Sequence, residues 1–209
     1  MAVSKRSIVS EILDAIKEAN SLSENWSGGN WLSDYAAESL LAVHIARKVI
    51  KNIRYSNPNV YLTLEEPFAT LPEYACANPK IGRPPHVLQG NNRADIVIWQ
   101  SRKRLFGVIE VKRKWTMGAC LYDLKRLQTL MDHYGLEQGG CLKFCCLAAF
   151  LHKGNDPEGK RLSEKYSEIR ERINSFCHRK YRIKEQEPYR TLYPGNEKYS
   201  AGGIVIEFY

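Results

Sequence analysis

Apolar residues near the start of the chain recur at helical spacing. They form one face, which consists of Ile8, Ile12, Leu13 and Ile16. This pattern predicts an amphipathic helix over residues 5–20, and the polar residues 21–30 predict a break after it. A second helix is expected from Trp31, with Ser33 or Asp34 as its N-cap, and it should end before the next Asn-Pro pair.

Short apolar segments rich in β-branched residues predict strands farther along the chain. They lie at residues 60–64, 94–99, 105–111, 142–151 and 202–209. The polar turn between the second and third segments predicts a β-hairpin. Several prolines between the first and second predict a long irregular connection.

Two further helices are predicted between the later strands. Residues 119–134 place leucines at three- and four-residue steps and stop at Gly135, and residues 160–176 form a charged helical segment. The order of elements predicts one α/β domain over residues 1–209. Its core spans about 34–151; the helix at 5–20 and residues 160–209 are additions to it.

No segment of the sequence has the character of a membrane anchor or a signal peptide. The first 20 residues carry charges in nearly every turn, and no apolar run approaches the roughly 18 residues of a spanning helix. A cytoplasmic protein without a membrane partner is expected.

The charge balance favours a polyanionic partner. Lys and Arg total 31 against 23 Asp and Glu, for a net charge of +8 and a pI near 9.2. Basic residues cluster at 102–104 with 113–114, and again at 179–190, where tyrosines lie among them. Such a mixture is typical of surfaces that bind single-stranded nucleic acid, although solvated surface charge explains it nearly as well.

Six cysteines show no metal-binding spacing. Cys145 and Cys146 lie next to each other in an apolar run, so on a strand they would point to opposite faces. The sequence therefore predicts reduced cysteines that pack as small apolar residues, with Cys76 among them.

The chemistry-bearing residues lie on the predicted hairpin. Side chains alternate along a strand, so Glu110 and Lys112 share one face, and Asp95 lies at the start of the neighbouring strand. Two carboxylates on adjacent strands are able to share a cation. Oxygen ligands favour Mg²⁺ or Mn²⁺ over zinc. A buried ion pair between Glu110 and Lys112 also explains that pair but leaves Asp95 without a role.

These residues resemble the PD-(D/E)xK nuclease superfamily. The resemblance rests on Arg93-Ala94-Asp95 followed by Val108-Ile-Glu110-Val-Lys112, and it covers the pattern of elements over residues 34–151. It implies a restriction-endonuclease-like fold, in which helices flank a mixed central sheet. Asp95 and Glu110 would be metal ligands and Lys112 the catalytic lysine. The sequence departs from the motif at Ala94, where the family name has proline.

The resemblance also implies roles outside the hairpin. A helix before the sheet often supplies a further acidic residue in that family, and Glu38 fits this position. Polar residues of the helix after the motif often lie near the site, which points to Lys125 or Arg126 as phosphate-binding residues; a solvated helix face is an equal alternative. The remaining candidates for nucleic-acid binding are Arg113, Arg179, Lys180 and Arg182.

The function expected from the sequence is metal-dependent hydrolysis of phosphodiester bonds in nucleic acid, with DNA as the expected substrate. The alternatives are an inactive nucleic-acid-binding or protein-interaction module on the same fold, and a basic adaptor with an acidic protein partner. Homodimer formation stays open, since nothing in the sequence identifies a self-complementary surface.

Overall fold

A mixed β-sheet forms the centre of the molecule in the computed structural model, which describes residues 5–75, 84–190 and 198–209. Its six strands are β1 (Tyr61–Pro67), β2 (Arg93–Gln100), β3 (Arg104–Lys112), β4 (Phe144–Lys153), β5 (Tyr181–Glu185) and β6 (Ser200–Phe208). They lie in the order β1-β2-β3-β4-β6-β5. The pair β3 and β4 is parallel, and the other neighbouring pairs are antiparallel.

Helices cover both faces of the sheet. In the described ranges they are α1 (Lys5–Ser27), α2 (Leu32–Tyr35), α3 (Glu38–Ser56), α4 (Met117–Tyr134) and α5 (Lys160–Phe176). One buried cluster joins α1 and α3 to the sheet, and a second joins α4 and α5 to its opposite face. The chain is thus a single α/β domain with a mixed sheet between helical layers.

The alternation expected along the strands is confirmed. Cys145 and Cys146 are fully buried in different clusters, on opposite faces of the sheet. Burial raises the pKa of both thiols above the usual value. The described cysteines form no disulfide, whereas Cys76 lies outside the described residues. The two thiols therefore act as small core residues.

The predicted hairpin is present. Strands β2 and β3 are antiparallel, and a 3₁₀ turn over Ser101–Lys103 joins them. Helices α4 and α5 also lie where their periodicity predicts them, and α4 ends before Gly135. The connection before β2 contains 3₁₀ turns at Leu71–Tyr74 and His86–Leu88; residues 76–83 lie outside the described part.

The predicted end of the first helix is wrong. Helix α1 continues to Ser27, through the polar segment expected to break it. Glu24 in this segment and Asn20 just before it are buried, and the Asn20 Oδ1 accepts a hydrogen bond from the Leu32 N–H at 3.1 Å. Tertiary contacts thus stabilise a polar turn that carries no apolar periodicity.

The predicted N-cap of the second helix is also wrong. Ser33 and Asp34 lie within the short helix α2, and α3 begins at Glu38 after Ala37, whose side chain makes no capping bond. Ser33 is buried, with its Oγ 2.9 Å from the His152 Nδ1. The Ser33 hydroxyl therefore contacts His152 of β4 and does not cap the N–H groups at the start of a helix.

Strand β5 was not expected from the sequence, where its residues belong to the basic segment. Within the described ranges it pairs with β6 alone, so it is an edge strand whose side chains are mostly half-buried. An edge strand tolerates charged residues, which obscures its apolar alternation. No helix in the described residues combines the length and apolar character that spanning a membrane would require.

Candidate active site

The β2–β3 hairpin brings Asp95 and Glu110 together. Ile96 pairs with Ile109 in the register of these strands, and the next step along both strands reaches Asp95 and Glu110. The Asp95 Oδ2 accepts a hydrogen bond from the Val111 N–H at 2.7 Å. The Asp95 carboxyl is close enough to Glu110 to contribute, after burial, to raising the pKa of Glu110. The two predicted metal ligands therefore converge.

Glu110 is the most deeply buried acid of the site. It is 1% exposed, and its Oε1 lies 3.5 Å from the Arg126 Nη2. This oxygen has no hydrogen-bond partner among the described residues. A buried carboxylate oxygen with only a distant ion-pair partner is costly, so it is a natural position for a cation.

Lys112 lies between two acidic side chains. Its Nζ is 3.1 Å from the Asp123 Oδ2 and 3.3 Å from the Glu38 Oε1. Burial disfavours the ammonium, but Asp123 and Glu38 together raise the pKa of Lys112 above its usual value. The lysine is therefore a fixed positive charge at neutral pH.

Glu38 reaches the site from the first turn of α3, as the resemblance implies. Its Oε2 accepts a hydrogen bond from the Arg113 N–H at 3.2 Å, just beyond the end of β3. The α3 N-terminus thus lies against the end of the strand that carries Glu110 and Lys112. This contact holds the Glu38 carboxylate beside the lysine.

Asp123 and Arg126 complete the site from α4. They form a buried ion pair one turn apart on that helix. The Arg126 guanidinium also lies 4.6 Å from the centre of the Phe68 ring and 5.1 Å from that of Tyr122. No role was predicted for Asp123 from the sequence. The i,i+3 spacing between Asp123 and Arg126 was the signal that could have identified it.

The site carries more negative than positive charge. Its acids are Glu38, Asp95, Glu110 and Asp123, and its cations are Lys112 and Arg126. Burial, with a smaller contribution from Glu38, raises the pKa of Asp95 to about 6 despite the Val111 N–H and Lys112, which lower it. Burial and the neighbouring Asp95 and Asp123 raise the pKa of Glu110 well above its usual value. An additional cation would relieve this repulsion.

Two carboxylates from adjacent strands match the needs of Mg²⁺. Among the described residues, no group of three or more His, Cys, Asp or Glu side chains is arranged to hold a metal ion. Mg²⁺, however, usually takes one or two protein carboxylates and fills its other positions with water and substrate phosphate. Asp95 and the Glu110 oxygen that accepts no hydrogen bond from the described residues fit that donor set.

Three of the predicted phosphate-binding residues lie on or beside the elements of the site and differ in exposure. Lys125 is exposed on α4, whereas Arg126 is buried against Glu110. The Arg113 Nη1 donates to the Ser33 carbonyl at 2.6 Å, which ties its guanidinium to α2. Of the three, Lys125 is the exposed residue and is accessible to a phosphate. Arg126 is instead part of the buried ion pairs with Glu110 and Asp123.

In the second basic cluster, Arg179 and Arg182 are in ion pairs, whereas Arg190 donates to the Pro157 carbonyl. Arg179 contacts Asp132 at 3.0 Å and Glu137 at 3.2 Å. The Arg182 Nε donates to the buried Glu207 at 2.5 Å, while Lys180 is exposed. The charges of Arg179 and Arg182 are thus compensated within the fold, while Lys180 stays in solvent.

Comparisons with protein-family models, curated proteins and solved structures found no match to this chain.

Proposed function

We propose that this protein is a divalent-metal-dependent nuclease that hydrolyses phosphodiester bonds of nucleic acid, with DNA as its main substrate. The observation that carries the proposal is the convergence of Asp95, Glu110 and Lys112 at one end of a hairpin, with Glu38 and Asp123 beside the lysine. The mixed sheet between helical layers supports a restriction-endonuclease-like fold of the PD-(D/E)xK superfamily.

Asp95 and Glu110 would hold the Mg²⁺ or Mn²⁺ ion. When bound, such an ion polarises the phosphate and lowers the pKa of a coordinated water. The Asp95 carboxylate is oriented by the Val111 N–H, and the Glu110 carboxylate is fixed by strand β3. Both acids are thus positioned before the substrate arrives.

Lys112 would stabilise charge on the phosphate. Because Asp123 and Glu38 keep its Nζ protonated, it offers N–H donors and a full positive charge next to the two acids. It donates to oxygen atoms on which negative charge grows during the reaction. Asp123 acts through Lys112, as a positioning residue.

The basic character of the protein supports a nucleic-acid substrate. The net charge of +8 attracts a polyanion. Lys125 is exposed on α4 and is adjacent in sequence to Arg126, which belongs to the site. Lys180 is a second exposed candidate for a phosphate contact. Each such contact should contribute to a salt-dependent affinity.

One observation favours the alternative of an inactive binding module on the same fold. Arg126 already supplies a positive charge 3.5 Å from Glu110, so it compensates part of the charge that a metal ion would otherwise balance. An arginine that replaces the metal would retain the fold and the nucleic-acid surface without catalysis. The two functions differ in whether the protein cleaves nucleic acid when a divalent cation is present.

The test is cleavage of single-stranded, duplex and branched DNA, and of RNA, in Mg²⁺, Mn²⁺ or EDTA. Wild type is compared with Glu110→Gln and Lys112→Gln. We expect cleavage only with a divalent cation, and a loss of at least about 100-fold in each variant. Lys48→Gln is the matched control, because Lys48 also pairs with a glutamate but lies on the outer contact of α3 with α1.

Circular dichroism and urea unfolding would establish that each variant is folded. Folded wild type that binds nucleic acid without cutting it in any metal would refute the nuclease and support the binding module. Cutting that persists in EDTA, or in both folded site variants, would refute the assignment of Asp95, Glu110 and Lys112.

A further inference from the structure

An aromatic cleft lies over β1 and β2, at one edge of the sheet. Its volume is about 290 Å³. It is lined by Tyr61, Thr63, Glu66, Tyr74, Trp99 and Lys103. These residues come from four separate parts of the sequence, so neither composition nor periodicity indicates the cleft.

The aromatic walls of the cleft are held in a defined arrangement. The rings of Tyr61 and Trp99 are stacked, with centroids 6.3 Å apart and planes 21° from parallel. Tyr74 meets Trp99 edge-on at 5.6 Å. The Trp99 Nε1 donates to the Thr63 Oγ1 at 2.8 Å, which fixes the indole. Such a cleft is preorganised for a flat ligand.

The rim of the cleft carries groups suited to a nucleotide. The Lys103 Nζ lies 5.9 Å from the centre of the Tyr74 ring, where it disfavours a cationic ligand and favours one with an anionic backbone. Glu66 also lines the cleft, and its carboxylate offers an acceptor to a base N–H group, such as the N3–H of an unpaired thymine. Aromatic faces beside a lysine are the features that bind unpaired bases in single-strand-binding proteins.

The cleft shares a sheet face with the candidate active site. Asp95 and Trp99 are four residues apart on β2, so their side chains point to the same face. At about 3.3 Å per residue the separation along the strand is on the order of 13 Å. Val97 lies between them on this face and is fully buried, so a single strand that links the two positions would pass over the residues that cover Val97.

We propose that this cleft binds an unpaired nucleobase of the strand whose backbone reaches Asp95 and Glu110. The base stacks in the cleft, and Lys103 faces the adjoining phosphate. The proposal rests on the proposed function, because it makes the cleft a subsite of the same substrate. It also implies a preference for single-stranded or frayed nucleic acid, since a paired base has no free face to insert.

The test measures affinity in EDTA, where the proposed reaction does not proceed. A labelled oligothymidine is compared with an abasic oligomer of equal length and charge by fluorescence anisotropy. Wild type should bind the oligothymidine roughly ten-fold more tightly. A Tyr61→Leu, Tyr74→Leu double variant should bind both oligomers alike and keep the wild-type affinity for the abasic one. Tyr55→Leu, at a tyrosine 97% exposed on α3, should behave as wild type.

Equal wild-type affinity for both oligomers would overturn the proposal without any substitution. A base preference that survives in the folded double variant, or the absence of binding to either oligomer, would overturn it as well. The nuclease is judged separately by cleavage in Mg²⁺. A base preference that depends on Tyr61 and Tyr74 in a protein that never cuts would therefore refute the nuclease and retain the cleft.

Discussion

The Arg126 Nη2 lies 3.5 Å from the Glu110 Oε1, and the two side chains are 7% and 2% exposed. Both charges are buried, and Arg126 also pairs with Asp123, so it is Glu110 that depends on Arg126 for compensation. The pair also links helix α4 to strand β3, because Arg126 comes from the helix and Glu110 from the strand. Removal of one partner leaves the other charge buried, which is costlier than loss of the pair itself.

Arg126→Met is therefore expected to lower the free energy of unfolding by about 3–5 kcal/mol, measured by urea denaturation in EDTA. Saturating Mn²⁺ should restore part of this loss, because it supplies positive charge to the same carboxylates. The control is Lys125→Met, next to Arg126 but exposed, which should change stability by less than about 0.5 kcal/mol. Equal stability of the two variants would contradict a structural ion pair.

Asp123→Asn tests whether Lys112 must be positioned. The amide keeps the shape of the side chain but removes the charge that lies 3.1 Å from the Lys112 Nζ. We expect kcat to fall about 10-fold to 100-fold with KM nearly unchanged, as for other residues that orient a catalytic group. Asp14→Asn on the exposed side of α1 is the control. A loss confined to KM would assign Asp123 to substrate binding instead.

Asp95→Asn should stabilise the metal-free protein in a pH-dependent way. The pKa of Asp95 is about 6 in the folded state against an ordinary value of 3.8, mainly because burial disfavours its charge. At a pH below the ordinary pKa of 3.8, a raised carboxyl pKa does not change the free energy of unfolding. As the pH rises, the folded protein loses stability, and the loss is complete once the pH exceeds the folded-state pKa of about 6. The variant should thus match wild type near pH 4 and exceed it by about 1–3 kcal/mol at pH 8.

Urea unfolding in EDTA at several pH values measures this difference. Addition of Mn²⁺ at pH 8 should reverse it, because wild type gains metal-binding energy that the variant lacks. If the metal-free variant were less stable than wild type at every pH, Asp95 would stabilise the fold, and the prediction that its buried charge destabilises the metal-free protein would be wrong.

Asp156→Ala should weaken the start of α5. The Asp156 carboxylate accepts hydrogen bonds from the N–H groups of Arg161 and Leu162 and from the Ser200 hydroxyl, at 3.0, 2.9 and 2.5 Å. Burial raises its pKa, but these bonds outweigh burial and lower it, so the contribution is present at neutral pH and disappears in acid. We expect a loss of about 1–3 kcal/mol at pH 7. Glu158→Ala, at an exposed glutamate nearby, should have little effect.

The sequence by itself determined the hairpin, the helices after it and the shared face of Glu110 and Lys112. These features depend on local periodicity, since a strand buried on one face must alternate and an amphipathic helix must repeat every three to four residues. The pairing of Asp95 with Glu110 depends in addition on the register shift between Ile98 and Trp99, because the pairing at the turn, of Gln100 with Arg104, would otherwise place Ile109 opposite Asp95. Spacing alone was therefore sufficient for the shared face of Glu110 and Lys112, and the register of the folded hairpin added Asp95.

Only the tertiary structure decided which distant side chains meet. Asp123 and Arg126 entered the site because α4 packs on the sheet, and Ser33 lost its expected cap because it contacts β4. Strand β5 and the aromatic cleft have no local signature, since an edge strand tolerates charge and the rings of the cleft come from residues up to 38 positions apart, Tyr61 and Trp99. Burial, charge compensation and ring stacking act through space, so they are fixed by packing rather than by neighbours along the chain.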